Sequence, residues 1–552
     1  MEGTRQPQHP QQHPQDRPQD RPQEQRPPKR ASRRAAQPPV PAGLRLRRDP
    51  GLSSARGGTV LLGGFPYRLL RISPAAAAMV AAWWQGEPVP DLLPARALAR
   101  RLLDAGMAHP VPTAPGSAEG DSTGGGSPAP GSAAGGSAGP GSAGPGSAEG
   151  TGRPLRGDVT VVIPVRDRAA ELTRCLAAAG DLPVIVVDDC SADSAAVAAV
   201  AAAAGARYLR RARHGGPGAA RNTGLAAVRT PLVAFLDSDC VPRPGWLDLL
   251  LPHFRDPGVG AVAPRIVPHE QTGGWLARYE QTASTLDLGT AESIVRPGAR
   301  VPYVPGAALV VRRAAADRGF AADLPVGEDV DFVWRLAAAG WHVRYEPAAT
   351  VGHQHRVRLR EWFARRKDYG TSAAPLELRH PGAVPAVTMS GWSAAAWLAA
   401  VTGHPAAGAV IVGATTGLLA RRLAPFADDP WPLAGRLAGA GTVAAGRLLG
   451  SALTRTWWPV ALPAAVAFPR LRLPLAALAL APPAADWRAR RPAIDPVRYV
   501  AARLLDDVAY SVGVWQGCLE HRTTRPLRPR LWWWSRTTEP GGPRPQPRRT
   551  AA

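Results

Sequence analysis

Apolar runs and polar interruptions divide the chain into distinct regions. Between residues 158 and 236, short runs rich in Val and Ile (Val159 to Val165, Val184 to Asp188, Leu232 to Leu236) alternate with Ala-rich stretches, Ala169 to Ala179, Asp193 to Ala204 and Pro217 to Val228. This alternation predicts βαβ units, hence an α/β fold with a mostly parallel sheet and helices on both faces. Runs without polar positions read as strands covered on both sides. Further on, Val343 to Val351 reads as a strand and Arg356 to Lys367 as a helix with one basic side.

Towards the N-terminus the pattern is different. Val60-Leu61-Leu62 and Arg68 to Ile72 flank Gly63-Gly64-Phe65-Pro66 as a hairpin. Ser73-Pro74 then caps a helix running to Trp84, which Gly86 stops. A second helix, Pro94 to Ala105, ends at Gly106. Past Pro385 the chain turns to Ala, Val, Leu, Gly and Trp. Ala386 to Val401 and Ala406 to Ala420 meet at His404-Pro405, and Arg470 and Arg472 interrupt the apolar region from Trp457 to Ala481. Each uninterrupted stretch is short of, or near, the roughly 20 residues of a bilayer span. A membrane hairpin, interfacial helices and buried helices of a soluble domain all fit. Trp457-Trp458 and Trp532 to Trp534 stand beside arginines, as in a headgroup region, so a membrane surface is the expected partner. Tyr499 to His521 reads as an amphipathic helix.

Composition sets the boundaries. Residues 1–55 are expected to be a disordered Pro/Gln/Arg-rich tail, 56–112 a small module and 113–155 a Gly/Ser/Ala/Pro linker that lets the module move independently. Residues 156–384 form the α/β domain, 385–522 an apolar helical region and 523–552 a disordered basic tail. The formal charge is +23, yet Lys29 and Lys367 are the only lysines among 66 basic residues. That excess of arginine in an Ala- and Pro-rich chain looks like a coding bias as much as a binding surface. No nucleic-acid-binding pattern accompanies it, so nucleic acid is not an expected partner. The four cysteines form no C-x-x-C pair, which points away from zinc and from a disulfide framework. With no long apolar core at the N-terminus a secretory signal is not expected, and the α/β domain is placed on the cytoplasmic side.

The chemistry gathers at strand ends, where ligands of such sheets bind. Pro164, Arg166 and Asp167 follow the first strand; Asp188 and Asp189 end the second; Asp237-Ser238-Asp239 ends the third. Side chains at i and i+2 of extended chain point the same way. Asp237 and Asp239 therefore suit one hard divalent ion, Mg²⁺ or Mn²⁺, although a solvated loop is the plainer reading of a lone D-x-D. Gly215 to Gly224 carries Arg221, a partner for phosphate or carboxylate, without the Gly-Lys-Ser/Thr of a Walker loop. Gly327-Glu328-Asp329-Val330-Asp331 opens a helix, where acids either complement the dipole or supply a base. His353 reads as a further metal ligand or as a hydrogen-bonded structural histidine.

The segments Val159 to Asp167, Val187-Asp-Asp-Cys-Ser, Gly216 to Gly224, Asp237-Ser-Asp and Gly327-Glu-Asp resemble, in order and spacing, the family 2 glycosyltransferases. That resemblance covers roughly residues 158 to 370 and implies a GT-A fold, a nucleotide-sugar donor and inversion at the anomeric carbon. Leu61-Leu-Gly-Gly, Arg68 to Pro74, Phe235 to Leu247, Gly327 to Arg344 and Tyr369 to Leu376 look like the mycofactocin-system glycosyltransferases. Residues 59–112 similarly resemble a PqqD-like winged-helix module that takes a peptide on a strand edge. The long linker, the extended tail and Cys190 in place of Gly depart from the pattern.

The resemblance implies a hexosyltransferase that adds β-1,4-linked glucose from UDP-glucose to a mycofactocin-type acceptor or its precursor peptide, at the cytoplasmic face of the membrane. Pro164, Arg166 and Asp167 would border the nucleoside, with Asp189 reading the base or ribose and Asp188 and Arg221 also binding substrate. Asp237 would serve the ribose or metal side, Asp239 would ligate the metal, and Asp329, with Glu328 beside it, would take the acceptor proton. Transfer to a polyprenyl phosphate or another lipid is the alternative within the same chemistry. A non-catalytic peptide-binding scaffold is the alternative of another class.

Overall fold

The computed structural model describes residues 38–111, 156–269 and 273–533. The expected linker (113–155) and most of both terminal tails lie outside the described residues. The first part of the chain forms β1 (Leu46–Arg48), β2 (Ser53–Ala55), β3 (Val60–Gly63), β4 (Arg68–Arg71), α1 (Pro74–Trp84), α2 (Leu93–Ala105) and β5 (Ala108–Pro110). The hairpin β3–β4 and both helices form where the pattern places them. Ser73 caps α1 by accepting from the Ala76 N–H.

The expected disorder of 1–55 is corrected over its last residues. β1 pairs with β5 and β2 with β3, while Val40, Leu46 and Leu52 are buried in the module core with Trp83 and Leu102. These apolar residues are too sparse among Arg and Pro to show a period, so only the folded partner reveals their purpose. Independent movement of the module is corrected as well. Arg100 on α2 donates to Asp256 of the α/β domain through two nitrogens, at 2.6 and 2.8 Å. Arg296 donates to the carbonyls of Phe65 and Asp104.

The α/β domain runs β6 (Val159–Val165), α3 (Ala169–Ala179), β7 (Val184–Asp188), α4 (Ser194–Ala203), β8 (Arg207–Arg210), α5 (Gly216–Ala227), β9 (Leu232–Leu236), β10 (Cys240–Pro242), α6 (Trp246–Leu250), β11 (Val259–Pro268), α7 (Trp275–Ala283), β12 (Ser293–Ile294), β13 (Ala308–Arg312), α8 (Glu328–Ala338) and β14 (His342–His353). They build one nine-stranded sheet in the order β10-β14-β11-β13-β9-β6-β7-β8, with β12 on β14. Its half from β8 to β9 is parallel. Beyond β9 the directions are mixed, because β13 runs antiparallel to both β9 and β11. Alternate residues of the central strands feed separate cores: Val161 and Ile163 join one and Val162 the other. Two covered faces explain the unbroken apolar runs. The chain has the GT-A fold.

Next come α9 (Leu359–Thr371), α10 (Ala373–Arg379), β15 (Val387–Ser390), α11 (Gly391–Val401), α12 (Pro405–Leu423), α13 (Pro430–Ala452), a π-helical turn (Leu453–Trp457), α14 (Trp458–Ala467), α15 (Arg472–Arg490), α16 (Pro496–Glu520) and β16 (Pro529–Trp532). The expected disorder from residue 523 is corrected in part, since β16 pairs in parallel with β15. Backbone pairing with a strand some 140 residues away leaves no local trace. α16 crosses α9 so closely that a Cβ on Gly370 would lie 2.0 Å from the Tyr510 carbonyl. A buried network ties the crossing to the α/β domain. Arg366 on α9 donates to Glu280 on α7 and to Asp506 on α16, at 2.6 and 3.1 Å.

Candidate active site

The carboxyl ends of β6, β7 and β9 open onto a cleft of about 930 Å³, lined among others by Pro164, Arg166, Asp189, Asp237 and Asp239. Beside it lies a chamber of about 370 Å³ that holds Glu328, Asp329, Tyr303 and Trp334. The two cavities share Asp237, His353, Arg365 and Tyr369, so the strand-end acids meet the α8 acids across one wall. None of the described module residues lines either cavity.

Asp189 is 4% exposed. It accepts from Arg211, from His214 Nδ1 at 2.8 Å and from the Gly216 N–H at 2.8 Å. The glycines at the start of α5 thus hold a carboxylate of the chain itself. Gly224 answers a different need: a Cβ there would lie 2.3 Å from Val162, so only glycine lets α5 rest on the sheet.

Two sequence expectations are corrected, for Asp188 and Asp167, and a third, for Arg221, is relocated. Asp188 is fully buried, accepts from Tyr208 Oη at 2.6 Å and from the Ser191 N–H at 2.8 Å, and lines neither cavity. Its neighbour Asp189 turns inward instead, because adjacent side chains of a strand point to opposite sides. Asp167, at a φ of +55°, turns away from the cleft and accepts from the Ala192 N–H. Arg221 is 2% exposed and lines the Asp329 chamber rather than the strand-end cleft. It bridges Asp237 at 2.7 Å and Glu328 at 2.8 Å, which joins the β9 end to the start of α8.

Asp239 accepts from Arg168 and lies 3.5 Å from His353 Nε2. Burial would raise its pKa, but His353 and Arg168 outweigh burial and keep the carboxyl below the ordinary range. Ligand atoms of Asp239, Cys240 and His353 fall within 4.8 Å of one another, and Asp237 is not in that group. Asp237 gives one oxygen to Arg221 instead. Burial pushes the Cys240 thiol well up, which makes it a poor ligand for a hard ion. His353 Nδ1 is buried without a hydrogen-bond partner. A carboxylate beside an imidazole fits Mn²⁺ or Mg²⁺ completed by phosphate oxygens.

On the other side of the wall, Asp329 accepts from the Gly306 N–H at 2.7 Å and from the Val330 N–H at 2.8 Å, and stays half-buried at the chamber surface. Glu328 is buried, and burial together with the charge of Asp329 pushes it up to about 7 despite Arg221. Asp331 turns away to Arg335 and His380. Sequence reasoning did not single out Arg168, Arg365 or Tyr369. The last two are spaced i and i+4 on α9, directly after the last strand of the nine-stranded sheet, a signal too common to stand out.

The family 2 glycosyl transferase model matches residues 160–320. The chain is 38% identical over 508 residues to the pre-mycofactocin glycosyltransferase of Mycobacterium tuberculosis, across 89% of this chain and 98% of that protein. A succinoglycan biosynthesis protein of Rhizobium meliloti is 32% identical over 218 residues, 36% of this chain and 62% of its own. Among solved structures, a Pyrobaculum calidifontis mannosyltransferase in complex with GDP-Man and Mn²⁺ superposes with a TM-score of 0.37 at 19% identity. It covers 65% of this chain and 87% of its own.

Proposed function

Since the chain belongs to the pre-mycofactocin glycosyltransferases, nucleotide-sugar-dependent hexosyltransferases of family 2, we propose that it glucosylates a mycofactocin-type, peptide-derived acceptor from UDP-glucose with inversion, building β-1,4 linkages. One observation carries this reading. The strand-end acids and Asp329 face two cavities that join at Asp237. Pro164 and Arg166 border the nucleoside, and Asp189 fixes the loop before α5. Asp239 and His353 hold Mg²⁺ or Mn²⁺, which when bound neutralises the leaving diphosphate.

The acceptor hydroxyl oxygen bonds to the anomeric carbon as the bond to the diphosphate breaks. The electron pair leaves with UDP, and Asp329 takes the hydroxyl proton. Asp329 is the base rather than Glu328 because Glu328 is buried against Arg221. The test is mass spectrometry of acceptor products with a panel of UDP- and GDP-sugars. Asp329→Asn should lower transfer by roughly 10²–10⁴-fold while UDP still binds. A chain that transfers no sugar from any donor, or an Asp329→Asn chain of full activity, sinks the reading.

Membrane attachment at the cytoplasmic face is proposed on the surface of the C-terminal helices. α14 buries none of its residues, and Val410, Val460, Val466, Phe468 and Leu473 are more than half exposed. α12 is long and apolar enough to cross a membrane, with 22% of its apolar window buried. The same surface favours transfer to a polyprenyl phosphate as the second reading. Flotation with phosphatidylglycerol vesicles and none with phosphatidylcholine is expected, as exposed arginines such as Arg421, Arg436 and Arg470 flank the apolar side chains. A chain that stays with the unbound fraction in both cases refutes attachment.

A further inference from the structure

We propose that Arg455 and Tyr510, both from the C-terminal helices, form the wall that selects the acceptor. A flat-faced ring, aryl or pyranose, stacks on the outer face of the Arg455 guanidinium, whose inner face rests on Tyr510. This rests on reading the Asp329 chamber as the acceptor site.

Both residues line that chamber, and both lie outside the 160–320 stretch matched by the family model. Arg455 sits in the π-helical turn, a geometry frequent at functional sites. The turn is fastened on both sides of it. Thr454 donates to Asp507 at 2.6 Å, and Trp515 Nε1 donates to the Thr456 carbonyl at 2.8 Å. Arg455 itself reaches Asp507 through Nη1 at 3.2 Å, and its guanidinium carbon lies 4.3 Å from the centre of the Tyr510 ring. Its side chain keeps 26% exposure although its neighbours Thr454 and Thr456 are buried. A second pair repeats the device. Arg365 stacks over Tyr369 at 4.8 Å, and both line the same chamber. With Tyr303 and Trp334, the chamber offers aromatic faces and guanidinium donors beside one carboxylate base. That set binds a ring with hydrogen-bond acceptors on its edge and gives little hold to an open-chain alcohol.

The experiment measures transfer by the full chain to phenyl β-D-glucoside, methyl β-D-glucoside, 4-methylphenol and glycerol, with UDP-glucose hydrolysis followed in parallel. Tyr510→Ala should raise KM for ring acceptors at least about ten-fold, well beyond any change in KM for glycerol or in the rate of UDP-glucose hydrolysis. Tyr510→Phe should restore KM, and Arg455→Lys should raise it with the fold intact by circular dichroism. Which ring loses affinity tells aryl from pyranose recognition. An unchanged KM in Tyr510→Ala, or hydrolysis falling in step with transfer, overturns the proposal. Failure of the transferase reading looks different, as a wild-type chain inert toward every donor. In that case calorimetry with phenyl β-D-glucoside decides, since binding lost in Tyr510→Ala still supports the wall and binding retained removes it.

Discussion

Three carboxylates, on Asp237, Glu328 and Asp329, gather around the single guanidinium of Arg221, and they cannot all be charged at equal cost. Glu328 is the one that yields, because it is the most buried of the three and its neighbour is charged. Its folded pKa of about 7 lies above the ordinary 4.5, so the folded chain keeps a proton that the unfolded chain releases. Stability therefore falls as pH rises from about 4.5 to about 7, by about 3 kcal/mol at most. Glu328→Gln should flatten this slope, so that urea midpoints of the two chains converge near pH 5 and separate near pH 8 in favour of the variant. Parallel curves would refute the assignment. At this scale Asp237, Asp239 and Asp329 were legible as acids at element ends. Asp167 and Asp188 were not separable from their neighbours, because sequence shows that an acid ends a strand and not which way its carboxylate turns.

Elements were legible where their pattern is local. Gly391–Val401 and Pro405–Leu423 form adjacent helices broken near His404-Pro405, and Pro496–Glu520 is one long helix. Their packing was not legible. α16 meets α9 through Gly513 and Gly517, and in a linear reading glycines only weaken a helix. In the folded chain a Cβ on Gly513 would lie 1.9 Å from the Lys367 carbonyl, and one on Gly517 would lie 2.5 Å from that of Thr371. Neither obstacle is a flexible side chain. Gly513→Ala should therefore force the helices apart and cost about 1–3 kcal/mol of stability. It should also weaken acceptor binding, since Tyr510 lies less than one turn away. Thermal melts and acceptor KM check both effects. A variant with wild-type melting and a raised KM would mean that the crossing acts only through the chamber wall.

For the whole molecule, the composition of residues 113–155 suggested two bodies joined by a tether, but linker composition says nothing about the surfaces at its ends. Those surfaces here are complementary. Arg100 and Asp256 are each less than 10% exposed, and His342 Nδ1 lies 3.0 Å from the same guanidinium. Arg300 meets Asp49 at 3.1 Å, and Arg47 pairs with Glu292. The hairpin strand β3 adds Val60 and Leu62 to a core shared with Leu423 and Leu433 of the C-terminal helices. Sequence separation hid all of these contacts, since a buried ion pair between residues 100 and 256 looks in the chain like two ordinary surface charges. Removing one partner leaves the other buried and unpaired, at a cost of about 3–5 kcal/mol. If the module is docked rather than tethered, proteolysis within residues 113–155 should leave the two fragments co-eluting on gel filtration. Arg100→Ala should make them separate, whereas the exposed Arg68→Ala should not. Fragments of the wild-type chain that part on cleavage would return the module to an independent body, and acceptor capture and sugar transfer would then be joined only by the linker.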